Sequence, residues 1–378
     1  MTNIQHSSVK KVVLLCDFFS SFGGTENYNA ALARGLRDRG IEVRIYVGER
    51  PRLVSWRTQL TDEGFFFKTP ETFHEDLTTN AIEKVFIADI VDEINEWKPD
   101  IIQVHPFRKM AIQWLENEHA DHTIPMIATE WTVPNKNAAH WFEANSIEYI
   151  NRVRAYIATC HAITKGIKEY HQYQGEIVEI PHIIPHIPMS ILPHTSDTLG
   201  SVGCISRLST EKGLVFLIGA WIQVVAKFPL QKLYIYGHGP DQESLELLRD
   251  CLGLHDSIIF AGTYEPGTVQ EIAERHSIFV QPSLFESIPT SIIELMTSGR
   301  VVVVSDVGGV SELVRDNQNG IIVKPGSTDE IAEAIITLLS SRTMVESFSE
   351  VAYQDSQRVY DYEKTMNQII ELYEKIIN

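Results

Sequence analysis

Long apolar runs are missing from this chain of 378 residues. None approaches the roughly 18 consecutive apolar residues that a membrane-crossing helix needs, which excludes a helical membrane protein. The first eleven residues are polar and hold no apolar core like that of a secretory leader, so the expected location is the cytoplasm. Cysteine is scarce. There are 4, and no two are spaced as C-x-x-C, which excludes a disulfide framework and a ribbon-type zinc site. Cys16 and Cys204 end apolar runs and read as small buried hydrophobes. Basic charge is also short: 32 Lys and Arg stand against 50 Asp and Glu, a net charge of −18. Phosphate backbones are bound by clustered cations, so nucleic acid is not an expected partner. No D-x-D triplet occurs, so no metal site of paired carboxylates at that spacing is expected.

What the chain does have is a rhythm. Apolar, β-branched runs alternate with helical patterns, the signature of parallel sheets covered on both faces. Strands are predicted at residues 12–16, 43–47, 101–104, 125–129, 155–159 and 177–180. After a loop holding Gly23 and Gly24, residues 26–39 are helical, with Tyr28, Ala31, Leu32 and Leu36 on one face, and stop at Gly40. The segment 181–193 reads PHIIPHIPMSILP. Four prolines in it cannot continue a sheet interior, so it reads as an extended linker. The rhythm then restarts, with strands predicted at 202–206, 233–236, 258–261, 278–281, 301–305 and 320–323. Residues 361–378 form one amphipathic helix. At 378 residues two domains are expected, with ligands at the carboxyl ends of the strands, in a cleft between the domains.

The most specific motif is ESIPTSIIELMTSG, residues 286–299. Glu286 follows a strand, Pro289 suits the first turn of a helix, and Glu294 lies inside that helix. The amides of Ser287, Ile288, Thr290 and Ser291 would be open at a positive helix end, a natural seat for a diphosphate. A surface helix with solvated glutamates would show the same two carboxylates. The segment, however, resembles the E-x7-E motif of the family-four retaining glycosyltransferases, which have the GT-B fold. ISRLSTEKG (205–213), YGHGPDQESL (236–245), VVVVSDVGGVSELVRDNQNGIIVKPG (301–326) and FGGTENYNAALARGLRDRGIEV (22–43) are similar to other parts of that family, in the same order.

The resemblance implies an α/β protein of GT-B architecture, with two Rossmann-like, doubly wound domains facing a central cleft. The expected N-terminal acceptor domain is 1–190, with 359–378 docking back onto it. The expected donor domain is 191–358. By the same resemblance, Glu286 contacts hydroxyls of the transferred sugar, Glu294 holds the ribose, and Arg207 and Lys212 grip the diphosphate. An Arg fork and a Lys charge suit the negative charge that builds on a departing diphosphate. Gly23 and Gly24 would let backbone approach the donor, Gly237 would line the cleft wall, and Gly262 and Tyr264 would border the base. The implied substrates are a UDP- or GDP-linked hexose and an acceptor hydroxyl on a glycan, glycolipid, small molecule or protein. No cofactor or metal is expected. Peripheral membrane contact is expected only for a lipid-linked acceptor, and the sequence leaves the oligomeric state open.

Two positions depart from the family pattern. Glu130 stands where the family often has a histidine; it reads as an acceptor-contacting base or as a cap or salt-bridge residue. His182-Ile183 replaces an Asn-Gly turn. His105 ends a strand and reads as an acceptor contact or as a core histidine. Two looser groups, His119, Asp121 and His122, and His182, His186 and His194, read as exposed residues rather than zinc ligands. Gly237 and Gly239 form an incomplete dinucleotide fingerprint, a weak sign of NAD binding. The alternative to catalysis is a non-catalytic GT-B partner subunit.

Overall fold

The computed structural model describes residues 7–17, 19, 24–48, 54–70, 79–134, 146–184, 201–264 and 268–378. Gly23, His186, His194 and most of the proline-rich segment lie outside the described residues. The chain divides into two compact units, Met1–Pro185 with Tyr362–Asn378, and His186–Asp361.

The first unit is built on seven parallel strands: β1 (Lys11–Cys16), β2 (Glu42–Val47), β3 (Phe66–Lys68), β4 (Ile101–His105), β5 (Met126–Glu130), β6 (Ala155–Ala158) and β7 (Glu176–Glu179). Their order across the sheet is β3-β2-β1-β4-β5-β6-β7. Apart from the half-buried Lys11 that opens β1, the central strands are buried, because helices cover both faces, and their Val, Ile and Leu runs fit that burial. The edges differ. β3 has only three residues, and β7 begins and ends on an exposed glutamate, so neither offers a long apolar edge for pairing. Strand order reverses between β1 and β4, which makes that gap the topological switch point.

The helix Tyr362–Ile377 belongs to this unit. Its Met366, Ile369, Leu372 and Tyr373 join the same core cluster as Ala31, Leu32 and Leu36 of the helix Gly24–Arg37. Gly35 allows the approach: a Cβ there would lie 2.7 Å from the end of the Met366 side chain. The Tyr373 hydroxyl donates to Gln103 Oε1, and Gln103 Nε2 donates to Thr129 Oγ1 at 2.8 Å. That relay explains how a glutamine sits fully buried in the middle of β4. Lys375 meets Glu176 at 2.6 Å, tying the helix to the outer strand.

The second unit has six parallel strands: β8 (Val202–Ile205), β9 (Leu233–Tyr236), β10 (Ile258–Gly262), β11 (Ile278–Gln281), β12 (Val301–Ser305) and β13 (Gly320–Val323). The order is β10-β9-β8-β11-β12-β13, with its switch point between β8 and β11. Leu217, Trp221 and Val224 of the helix Leu214–Lys227 pack with Ile331 and Ile335 of the helix Thr328–Ser340 in the core of this unit. Ser327 caps the latter, its Oγ accepting from Glu330 N at 3.3 Å. Among the described residues no helix is long and apolar enough to cross a membrane.

The sequence pattern locates twelve of these thirteen strands within a few residues. It misses β3, because three residues are too few to show a period.

Tyr373→Phe should cost about 1–3 kcal/mol, because it leaves the buried Gln103 carbonyl without its donor. Urea unfolding checks this; an unchanged midpoint would mean that the relay carries no stability.

Candidate active site

In the second unit the site grows from backbone packing. β8 ends at Ile205, and the chain runs through Arg207 into a single 3-10 turn, Thr210–Lys212. Gly213 follows with φ +64, a left-handed conformation that favours glycine. A Cβ on Gly213 would lie 2.1 Å from the Pro282 carbonyl oxygen, so the loop after β8 rests directly on the loop after β11. Leu284 N donates to Glu211 O at 2.8 Å and fastens the two. The consequence is chemical. Lys212 Nζ donates to the Glu286 carboxylate, and Ser283 Oγ donates to the same oxygen at 3.1 Å. Both partners are largely sheltered, with 21% of the Lys212 side chain and 12% of the Glu286 side chain exposed.

The other loops at this end of the sheet back the pair. A Cβ on Gly237 would fall 1.9 Å from Ser206 O, and one on Gly239 would fall 2.2 Å from Leu208 O. Leu208 N donates to His238 O at 2.9 Å. Both glycines are thus required by contact with the Ser206–Leu208 backbone, which accounts for the G-x-G without a dinucleotide. Gly308 has φ +58, and its Cβ would lie 2.0 Å from Glu286 O; Gly309 N donates to Ser287 O at 2.8 Å. The backbone that carries Glu286 and Ser287 is therefore gripped from both sides.

The helix after Glu286 is Thr290–Thr297. Pro289 is not in its first turn, as the sequence suggested, but one position earlier at the N-cap, its carbonyl accepting from Ile292 N at 3.1 Å and Ile293 N at 3.3 Å. The amides of the first turn have no intrahelical acceptor. Ser287, Ile288 and Pro289 are buried and Thr290 half-buried. Glu294 lies one turn into the helix. Burial pushes its carboxyl from an ordinary value of 4.5 up to about 7. Tyr264 is close enough to feel that carboxyl: burial first, and then the Glu294 charge, push its phenol up to about 12. Gly262, exposed at the end of β10 with φ +80, accepts from Gly237 N at 2.8 Å. Arg207 is exposed and, among the described residues, enters no ion pair.

In the first unit, Gly24 opens the helix Gly24–Arg37. His105 ends β4, is fully buried and, among the described residues, has no hydrogen-bond partner at either ring nitrogen. Burial pushes its imidazole down to about 3. Glu130 ends β5, also buried. Its Oε1 accepts from Trp131 N at 3.0 Å and Thr132 N at 3.1 Å, so it shapes the turn that leaves the strand. Burial raises its carboxyl, and Arg108 acts in the opposite direction.

Sequence reasoning passed over Asp17. Its carboxylate accepts from Lys109 N at 3.1 Å and Met110 N at 2.8 Å, and so caps the helix Lys109–Glu116 from the end of β1. Burial pushes its carboxyl up to about 6. The acid closing VVLLCD was the available signal. His182, expected to be exposed, is instead buried and stacks on Trp131. Both ring nitrogens of His122 are engaged, by Trp114 O and by Arg152. Among the described residues no three His, Cys, Asp or Glu side chains gather as metal ligands.

Two parallel Rossmann-like sheets in tandem, with the last helix returned to the first, are the components of the GT-B architecture. A family model described as Glycosyltransferase Family 4 matches residues 22–186, and one described as Glycosyl transferases group 1 matches residues 194–355. The chain belongs to the family-four glycosyltransferases. It is 30% identical over 169 residues to an uncharacterized glycosyltransferase of Methanocaldococcus jannaschii, covering 45% of this chain and 43% of that one. It is 29% identical over 172 residues to the alpha-D-kanosaminyltransferase of Streptomyces kanamyceticus, covering 46% and 45%. The chain thus spans less than half the length of these relatives. In structure it is similar to HepE of Anabaena, solved in complex with UDP, with a TM-score of 0.79 at 18% identity over 97% of this chain and 100% of that one.

The raised Glu294 carboxyl has a defined effect on stability. The folded protein holds this proton at pH values where the unfolded chain has released it. The stabilisation is complete below about pH 4.5 and is lost as pH rises through about 7. Glu294→Gln should flatten that part of the stability profile between about pH 5 and 7. Denaturation midpoints across this range check it, and parallel profiles for the two proteins would refute the assignment.

Proposed function

We propose that the protein is a retaining glycosyltransferase that moves a hexose from a UDP- or GDP-sugar to an acceptor hydroxyl without a metal ion. The observation that carries this reading is the sheltered Lys212–Glu286 pair at the switch point of the second unit, beside an open helix start. The second unit would hold the donor and the first the acceptor. Lys212, Arg207 and the amides before and within the first turn of the helix Thr290–Thr297 would bind the diphosphate. Glu286 would orient sugar hydroxyls, and Glu294 would accept from the ribose hydroxyls, with Tyr264 and Gly262 beside the base. Glu294 is neutral or charged in comparable amounts near pH 7, and a hydroxyl donor would draw it to the charged form.

In the chemical step the bond from the anomeric carbon to the phosphate oxygen breaks, and a bond to the acceptor oxygen forms on the same face. The acceptor proton passes to the departing phosphate, whose negative charge Arg207 and Lys212 would stabilise. The complex of HepE with UDP supports a uridine donor. The kanosaminyltransferase supports hexose transfer.

A non-catalytic partner subunit is the second reading. It draws on Glu130, whose oxygen is held by its own loop amides. Donor hydrolysis by the purified protein separates the two readings.

Glu294→Ala should weaken UDP binding by about 1–3 kcal/mol, measured by calorimetry; unchanged affinity would remove Glu294 from the site. Arg207→Ala should lower turnover by about tenfold or more while leaving thermal stability nearly intact, because the side chain is exposed and, among the described residues, in no ion pair. An equal loss of both would make Arg207 structural.

A further inference from the structure

The first unit carries a polar cluster that the donor site does not use. Two imidazoles stack on Trp131. His105 stacks on it at 5.8 Å between ring centroids and 22° between planes, and His182 at 5.6 Å and 27°. Tyr28 meets the indole edge-on at 4.3 Å and lies 6.2 Å from each imidazole. The four come from the end of β4, the exit of β5, the segment after β7 and the helix Gly24–Arg37. They gather at the carboxyl end of the sheet, beside its switch point. Both ring nitrogens of His105, both of His182 and the Tyr28 hydroxyl are buried and, among the described residues, have no hydrogen-bond partner. Buried polar groups are normally hydrogen-bonded, so five unsatisfied atoms around one indole are a costly arrangement for a core.

We propose that His105, His182 and Tyr28 are specificity residues for a neutral, polyhydroxylated acceptor, a saccharide or polyol whose hydroxyls bridge the two imidazoles and the phenol against Trp131. This rests on the transferase reading above. The hydrogen-bond inventory selects the ligand. Each neutral imidazole offers one N–H donor and one bare acceptor nitrogen, and a phenol is both donor and acceptor. A phosphate would bring a negative charge that two neutral imidazoles and a phenol do not offset. An ammonium donates only, and would leave both N–H groups unsatisfied. A hydroxyl does both.

Charge agrees. Burial pushes His105 down to about 3 and His182 to about 4, so neither is a cation near pH 7. The nearby guanidinium of Arg108 already acts on two buried carboxylates, Asp17 and Glu130. Trp131 at 9% and His182 at 5% exposure form the outer edge of the cluster, with His105 beneath.

The test uses the full chain, isotopically labelled at the histidine ring nitrogens, with His105→Phe and His182→Phe to assign the signals. Methyl glucoside and glycerol are the neutral probes, and inorganic phosphate is the anionic one. The neutral probes should shift both rings and phosphate should shift neither. Tyr28→Phe should weaken the methyl glucoside titration by about 5- to 10-fold, and it removes only an unpartnered hydroxyl, so the fold is retained. Rings silent to both neutral probes, or an equal response to phosphate, would overturn the proposal. Calorimetry with UDP on the same sample tests the donor reading separately. A protein that binds UDP with silent rings loses only the acceptor cluster, and one that shifts its rings but ignores UDP loses only the donor site.

Discussion

Gly213 lying against the Pro282 carbonyl is the contact on which the candidate chemistry depends. It lets the loop after β8 and the loop after β11 share one backbone surface, fastened by Leu284 N and Glu211 O. Only that closeness brings a lysine from one loop and a glutamate from the other into an ion pair sheltered from water. Any larger residue at the glycine would part the loops and separate the charges. The neighbouring glycines repeat the device: Gly237 and Gly239 press on the Ser206–Leu208 backbone, and Gly308 on that of Glu286. The loops are thus preorganised by backbone contact, and the charged side chains inherit their positions from it.

The two units use one topology for opposite electrostatics. Each sheet reverses its strand order once, and each gathers polar groups at the carboxyl ends beside that reversal. In the second unit the groups are charged, with Lys212, Glu286 and the exposed Arg207 near a helix start. In the first unit they are neutral rings, and the Arg108 guanidinium acts on the buried carboxylates of Asp17 and Glu130. A diphosphate suits the first of these settings and a hydroxyl the second. The acidic net charge of the chain therefore says little about either ligand, because local geometry governs both.

Most of the fold was legible because its signals are local. β1, β4 and β12 are apolar runs of the right length, and the helix Gly24–Arg37 shows its buried face at helical spacing. The carboxylates at 286 and 294 stand out for the same reason, since their spacing and the intervening proline lie within nine consecutive residues. The site in the first unit was less legible. His105 and Glu130 were visible at strand ends, but nothing in QVHPF or TEWT reveals that His105, Trp131 and His182 stack. Asp17 could be noticed as an acid after a strand, yet its role as the cap of a distant helix appears only when β1 and β4 pair.

By itself, then, the sequence determined the alternation of strands and helices, the break between two units, and the residue types at the ends of β8 and β11. These follow from hydrophobic period and local turn chemistry, which act over a few residues. Tertiary structure alone decided that Lys212 pairs with Glu286 and that two histidines stack on one tryptophan. Each of those depends on elements far apart in the chain being packed to van der Waals contact, and no local pattern records such a distance.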